Sequence, residues 1–234
     1  FAVRADSYNA NAHRPCFDTT KGARRRSVTQ WNANTMGTSC SVIIPTFNRP
    51  TQLVRAVASA FAALPAGGEV IVVNDGPEDP VRDALAAFAG QALRMVHNPR
   101  PLGGGGSPSR NIGVQVSDGD VFFFLDDDDV FLPEYCASIL ASETVGAADF
   151  GYCARRRVVD GDTAGATTED RRMASGLVPQ SLPFGRRSFP FSAGFWITRA
   201  AFERAGPLAE TLATNSDTEY CCRLYGLGLR AWYT

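Results

Sequence analysis

Residues 121–129 read Val-Phe-Phe-Phe-Leu-Asp-Asp-Asp-Asp, five apolar residues followed directly by four carboxylates. An apolar run of this length is typical of a strand that is buried on both faces of a sheet. In extended chain, alternate side chains share a side, so Asp126 and Asp128 are expected to point together. A few hard oxygen ligands suit Mg²⁺ or Mn²⁺. A solvated acidic turn is the alternative, and the position after a buried strand favours a metal site.

Strands and helices alternate ahead of this stretch. Apolar strands are predicted at 41–44, 69–73, 92–96 and 121–125, with amphipathic helices between them and Asn48 as the candidate N-cap of the first helix. This alternation predicts an α/β fold with a mostly parallel central sheet and helices on both faces. Ligands of such sheets bind beyond the carboxyl ends of the strands, where the polar segments 46–49, 74–76, 103–106 and 126–129 lie.

The pattern loosens after residue 133. A helix is predicted from 133 to 140, strands at 150–159 and 189–197, a helix at 216–225 and a final strand at 229–233. That strand stops at the end of the chain, so we expect the natural protein to continue past residue 234. Residues 1–38 show no sustained period, and we predict an N-terminal appendage followed by one domain over 39–234.

Composition excludes several classes of protein. The 234 residues are 44% hydrophobic and 20% charged, which is ordinary for a globular protein. A net charge of −1 provides no basic field for nucleic acid. Apolar runs are too short for a transmembrane segment, and Arg4 and Asp6 interrupt any secretory signal. We therefore expect a cytoplasmic protein, with peripheral association at the inner face of the membrane as the one variation.

Three further residues are candidates for chemistry. Asp75 follows the second strand and could accept a hydrogen bond from a base N–H. Arg110, near the start of the third helix, is either a phosphate contact or a surface cation. Asp217 opens a helix, where it is either a general base or an acid that favours the helix dipole. The glycines at 103–106 lack a following Lys-Ser/Thr, which excludes a P-loop.

Five motifs follow one another in order over about residues 40–233. They are Ser-Val-Ile-Ile-Pro-Thr-Phe-Asn-Arg at 41–49, Val-Ile-Val-Val-Asn-Asp-Gly at 70–76, Ser-Arg-Asn-Ile-Gly at 109–113, Phe-Leu-Asp-Asp-Asp-Asp at 124–129, and 195–206 with Asn-Ser-Asp-Thr-Glu at 215–219. In this order the motifs are far more specific together than singly. The chain resembles the family 2 glycosyltransferases, which have the GT-A fold.

The resemblance implies a role for each matching residue. The nucleotide-sugar-binding set would be Pro45, Thr46, Asn48, Asp75, Arg110, Asp126 and Asp127. Within it, Pro45, Thr46 and Asp75 would line the base, Arg110 the pyrophosphate side and Asp126 the ribose. Asp128 would hold Mn²⁺ or Mg²⁺, and Asp217 would be the catalytic base.

The activity implied is a single inverting displacement. A sugar would move from a nucleoside diphosphate sugar, with UDP as the expected nucleotide, to a hydroxyl of a saccharide or glycoconjugate acceptor. Residues 39–132 would form the nucleotide-sugar-binding half and residues 133–234 the acceptor half. Two positions depart from the family: Asn74 and Ser216 stand where acids are usual, and the second puts the acceptor chemistry in doubt.

Two other functions fit parts of the sequence. The run 122–130 also matches the signature of haloacid-dehalogenase-type phosphohydrolases, with Asp126 as nucleophile and Asp128 as acid. That fold places the motif on its first strand and usually a lysine after it, whereas here the only lysine, Lys21, comes before it. A non-catalytic nucleotide-sugar-binding module is the other alternative, and Asp217 argues against it.

Overall fold

A computed structural model describes residues 38–100, 106–141, 143–159, 162–169, 174–187, 194–212 and 214–234. The appendage predicted over 1–38 lies outside these residues except for position 38, and the predicted glycine loop does so except for Gly106. Within the described part of the chain, no helix is long and apolar enough to cross a membrane.

Residues 40–124 alternate strands and helices, as predicted. The boundaries differ from the predicted ones by one or two residues at most of the elements. A short 3₁₀ turn at Ala86–Phe88 follows the second helix. The elements are β1 Cys40–Thr46, α1 Pro50–Ala63, β2 Glu69–Asn74, α2 Glu78–Leu85, β3 Leu93–His97, α3 Gly106–Val116 and β4 Val121–Phe124.

The later residues form shorter elements. The strand predicted at 150–159 is two strands, and of the strand predicted at 189–197 the described residues give only its end. The elements are α4 Tyr135–Ala141, α5 Thr144–Ala147, β5 Phe150–Tyr152, β6 Arg155–Val159, β7 Asp162–Glu169, β8 Gly176–Leu177, α6 Phe184–Arg187, β9 Phe195–Thr198, α7 Arg199–Ala205, α8 Ser216–Gly226 and β10 Ala231–Tyr233.

One eight-stranded sheet joins both predicted halves of the domain, in the order β3-β2-β1-β4-β9-β5-β10-β8. The strands β3, β2, β1 and β4 are all parallel, so their carboxyl ends meet at one edge. β9 runs antiparallel between β4 and β5. The fold is therefore α/β with a mixed sheet whose first four strands follow the predicted parallel arrangement, and β6 and β7 pair separately.

The central strand β4 is buried on both faces. Phe122 and Phe124 pack into the core on the side of α3, α7 and α8. Val121, Phe123 and Leu125 pack into the other core, on the side of α1, α2 and α4. None of these five side chains is exposed to solvent. The continuous apolar run is thus a consequence of helices covering both faces of the sheet.

The predicted N-cap of α1 is wrong by one residue. Arg49 occupies the N-cap position, and Pro50 begins the helix. Asn48 has a left-handed φ of 55°, which an asparagine tolerates better than most residues. The chain thus turns at Asn48, and the fixed φ of Pro50 suits the first helical position.

Helix α3 lies close against the sheet. A Cβ atom added to Gly113 would be 2.3 Å from Cγ2 of Ile43 in β1, closer than real atoms approach. The glycine therefore lets the helix axis approach β1. Helix α3 is the crossover connection between the parallel strands β3 and β4. It therefore runs antiparallel to β1, and its first turn lies over the carboxyl end of that strand.

We predict that Phe123→Ala lowers the free energy of unfolding by about 3–5 kcal/mol, because it removes a fully buried ring from the central strand. Leu132→Ala is the matched control: Leu132 is 76% exposed, so its truncation should change the free energy of unfolding by less than about 0.5 kcal/mol. Urea denaturation followed by circular dichroism measures both. Equal losses for the two variants would contradict the burial of β4.

Candidate active site

A cavity of about 450 Å³ opens at the carboxyl edge of the parallel strands. Its walls come from the segments that follow β1, β2 and β4 and from the first turn of α3. Seven of the eight residues proposed for the donor and the metal line it. The lining residues are Pro45, Thr46, Phe47, Arg49, Asp75, Gly106, Ser109, Arg110, Asp126, Asp127 and Asp128.

The carboxylates after β4 alternate in direction, as extended chain requires. Asp126 continues the side of Phe124 and accepts a hydrogen bond from Nη2 of Arg110 at 2.5 Å. Asp127 continues the side of Leu125 and faces β1, where it accepts hydrogen bonds from Thr46 Oγ1 at 2.8 Å and Arg49 Nη1 at 3.1 Å. The two neighbouring acids thus serve different partners.

Asp127 is a buried carboxylate, only 6% exposed. Burial of a charge is unfavourable unless the charge is paired and hydrogen-bonded, and Thr46 and Arg49 provide both. The carboxylates of Asp127 and then Asp128 raise the pKa of the Arg49 guanidinium above its ordinary value. These contacts fasten the acidic loop to the end of β1.

Carboxylate oxygens of Asp126, Asp128 and Asp129 lie within 4.8 Å of one another. Asp128 also accepts a hydrogen bond from Nη1 of Arg49 at 2.7 Å. Three carboxylates on one short loop form the hard-oxygen ligand set that Mg²⁺ and Mn²⁺ prefer. The residues present therefore fit a divalent cation, and two of the three already hold a guanidinium group.

Asp75, only 2% exposed, lines the cavity just after β2. Its backbone N–H donates to the carbonyl of Thr46 at 2.9 Å, and its Oδ1 accepts from Nδ2 of Asn98 at 2.6 Å. Asn98 is itself buried, and its N–H donates to the carbonyl of Asn74 at 2.9 Å. Asn98 was not predicted as a site residue, because a lone asparagine after a strand is typical of any turn.

Asn74, which departs from the acid usual in the family, closes the turn after β2. Its Oδ1 accepts from the N–H of Gly76 and its Nδ2 donates to the carbonyl of Pro77, each at 2.9 Å. A Cβ on Gly76 would lie 2.9 Å from Oδ1 of Asn48. The Asn74 amide thus shapes the loop that carries Asp75. Asp75 is the residue of this pair whose carboxylate lines the cavity.

The first turn of α3 provides the opposite wall. A Cβ on Gly106 would lie 2.3 Å from Nη1 of Arg110, so a larger residue here would displace the guanidinium from its place over the turn. The sequence leaves two interpretations of Arg110 open, a phosphate contact or a surface cation. Its side chain is only 11% exposed, lines the cavity and pairs with Asp126. Arg49 and Ser109 were missed, although each adjoins or lies within a motif.

Asn48 and Asp217 are not among the residues that line this cavity. Asn48 is exposed at the turn before α1. Asp217 is half-buried in the first turn of α8, and its Oδ1 accepts the N–H of Thr218 at 2.8 Å. In the same turn, Glu219 is paired with Arg223 four residues on, at 2.5 Å. In this turn, Glu219 is thus held by an arginine, whereas Asp217 accepts from the backbone of the next residue.

Comparisons with known proteins agree with this architecture. A protein of Nostoc sp., described as an uncharacterized glycosyltransferase, is 28% identical over 173 residues, which is 72% of this chain and 53% of the relative. The succinoglycan biosynthesis protein ExoW of Rhizobium meliloti is 34% identical over 112 residues, 47% of this chain and 35% of ExoW. The chain thus spans about a third to a half of the length of these relatives.

Among solved structures, S. aureus TarS 1–349 matches with a TM-score of 0.69 over 84% of this chain and 58% of that one, at 19% identity. The same protein matches in crystals with UDP and with UDP-GlcNAc. At this identity the match establishes the fold alone. The family model described as Glycosyl transferase family 2 matches residues 41–206, which is most of the chain. The chain therefore belongs to glycosyltransferase family 2.

Proposed function

We propose that this chain carries the donor site of a metal-dependent, inverting glycosyltransferase. The donor is a nucleoside diphosphate sugar, a UDP-sugar in our proposal, and the acceptor is a hydroxyl of a saccharide or glycoconjugate. One observation carries the proposal: the cavity gathers Asp75, Arg110 and the acidic loop 126–128 at the carboxyl edge of the sheet. The UDP complexes of TarS and the polysaccharide role in the name of ExoW support this donor and acceptor.

The nucleoside end of the donor belongs beside Asp75. A base such as uracil presents an N–H, and the carboxylate of Asp75, which lines the cavity, is an acceptor for it. Pro45 and Thr46 line the same part of the cavity at the end of β1. In this proposal, Asn48 lies outside the cavity and acts on the nucleotide only by shaping the loop against Gly76.

The diphosphate end belongs beside the acidic loop and Arg110. Asp128 would hold Mn²⁺ or Mg²⁺, with Asp126 and Asp129 close enough to share it or to contact the ribose. When bound, the cation neutralises the charge that develops on the departing diphosphate. Arg110 supplies a planar guanidinium for the pyrophosphate oxygens, and Asp127 holds the loop in place through Thr46 and Arg49.

Asp217 is the proposed catalytic base. It would take the proton from the acceptor hydroxyl as that oxygen attacks the anomeric carbon from the face opposite the diphosphate, which inverts the configuration there. Its half-buried position in the first turn of α8 leaves part of the side chain accessible to an acceptor. Ser216 cannot substitute for the missing glutamate as an acid, so Asp217 would act alone at this turn.

The phosphohydrolase interpretation has no support in the fold. The acidic motif follows β4, after three strand–helix units, and the parallel order of β3, β2, β1 and β4 places it in the middle of the sheet. Membership of glycosyltransferase family 2 over residues 41–206 accounts for the same motif. Asp126 is therefore assigned to the donor and not to a phosphoryl-enzyme.

We predict that UDP and Mn²⁺ raise the melting temperature only when both are present, by on the order of 5 °C at concentrations about 100 times Kd. Asp128→Asn should abolish this shift, because the variant loses a proposed ligand of the cation. Asp118→Asn is the control, because the Asp118 side chain is 90% exposed and pairs with Arg94 in β3 rather than lining the cavity. Differential scanning fluorimetry measures all three proteins; a full shift in Asp128→Asn would contradict the metal assignment.

We also predict that Asp217→Asn slows turnover by about 10²- to 10⁴-fold, because the acceptor loses its general base. The readout is UDP release from whichever of UDP-glucose, UDP-galactose and UDP-GlcNAc the parent protein turns over. The affinity for UDP should stay within about twofold, since Asp217 does not line the donor cavity.

Asp79→Asn is the matched control for that experiment. Asp79 is an acid in the first turn of a helix, as Asp217 is, but it lies on α2 and its side chain is 78% exposed. Its replacement should leave turnover unchanged. An unaltered rate in Asp217→Asn would remove the assignment of the base.

A further inference from the structure

Ser109 is a polar group in the cavity wall that the proposed function does not yet use. It lies in the first turn of α3 and is only 1% exposed. Among the residues that the structure describes, its hydroxyl oxygen has no hydrogen-bond partner. Buried hydroxyl groups are nearly always hydrogen-bonded in folded proteins. An unpartnered one that lines a cavity therefore indicates a ligand that supplies the missing partner.

The position of Ser109 follows from the packing of α3. Gly113, one helical turn later, touches Ile43 in β1. A turn of helix advances about 5.4 Å and two strand residues about 6.6 Å. Because α3 runs antiparallel to β1, Ser109 lies over the end of that strand, near Pro45, and both residues line the cavity.

The neighbouring residue Arg110 points elsewhere. Its guanidinium reaches Asp126, which follows β4 on the other side of β1. Since successive helical residues are turned by about 100°, Ser109 and Arg110 face different parts of the same cavity. Arg110 lies with the acidic loop that follows β4, whereas Ser109 lies with Pro45 over the end of β1.

We propose that the Ser109 hydroxyl hydrogen-bonds the nucleoside part of the donor and contributes to nucleotide recognition. This inference rests on the proposed function and adds a residue to its donor site. A neutral hydroxyl can donate and accept, which matches the carbonyl, N–H and hydroxyl groups of a nucleoside. The charged diphosphate is better matched by Arg110 and a cation.

The test compares Ser109→Ala with the parent by isothermal titration in Mn²⁺ with UDP, UMP and inorganic pyrophosphate. Loss of one hydrogen bond should weaken UDP and UMP alike, by about three- to tenfold, and leave pyrophosphate unchanged. Ser107→Ala is the matched control: Ser107 is a buried serine in the same turn of α3, but it does not line the cavity. It should bind all three ligands as the parent does.

A second readout separates binding from a structural role. Since the hydroxyl has no partner among the described residues, Ser109→Ala without nucleotide should melt at the same temperature as the parent or higher. A serine that merely stabilised α3 would lower the melting temperature when replaced. Weaker nucleotide binding with an undiminished melting temperature is the expected combination.

The proposal is overturned if Ser109→Ala binds UDP and UMP like the parent, if only pyrophosphate binding falls, or if the melting temperature drops with the affinity. Failure of the proposed function gives a different result. In that case the parent itself binds neither UDP nor UMP in the presence of Mn²⁺, and the Ser109 assignment falls with it.

Discussion

The burial of β4 on both faces fixes the place of every carboxylate that follows it. Phe122 and Phe124 are held in one core and Phe123 and Leu125 in the other, so the strand can neither rotate nor shift by one residue without exposing aromatic rings. The alternation continues into the acidic loop. Asp126 consequently faces α3, and Asp127 faces β1 and α1.

Two arginines connect this loop to its surroundings. Arg49, at the start of α1, contacts Asp127 and Asp128, and Arg110, in the first turn of α3, contacts Asp126. Each comes from the N-terminus of a helix that begins over the carboxyl edge of the sheet. Cation binding by Asp128 would therefore compete with Arg49, whereas Asp127 can keep its buried partners. Asp127 thus holds the loop in place, while Asp126 and Asp128 remain able to exchange an arginine for a cation.

Much of this arrangement could be predicted from the sequence because it depends on local pattern. The apolar run at 121–125 and the strand–helix alternation predict the sheet, and the ends of parallel strands must meet, which brings Asp75 and Asp126 to one edge. Asn98 could not be predicted, since its role depends on the side chain that lies across from it. Residue type alone predicts Asn48 as the N-cap of α1. In the structure Asn48 has a left-handed φ, and Arg49, the next residue, occupies the N-cap position.

For Asp217, too, the sequence predicts the local structure but not the distance to residues that are far away in the chain. Its place at the start of α8 follows from the sequence, but the distance between that turn and the donor depends on how the later strands are ordered. The position of β9, antiparallel between β4 and β5, could not be predicted, because no local period encodes which strand pairs with which. The acceptor side of the enzyme is therefore less constrained by the sequence than the donor side.

A crystal structure of the chain with UDP and Mn²⁺, with anomalous diffraction recorded for manganese, tests the account most directly. We expect the anomalous peak at the carboxylates of Asp126 and Asp128, with the diphosphate beside Arg110 and the base against Asp75. Manganese bound elsewhere, or UDP outside the cavity with the Arg49–Asp128 and Arg110–Asp126 pairs intact, would contradict it.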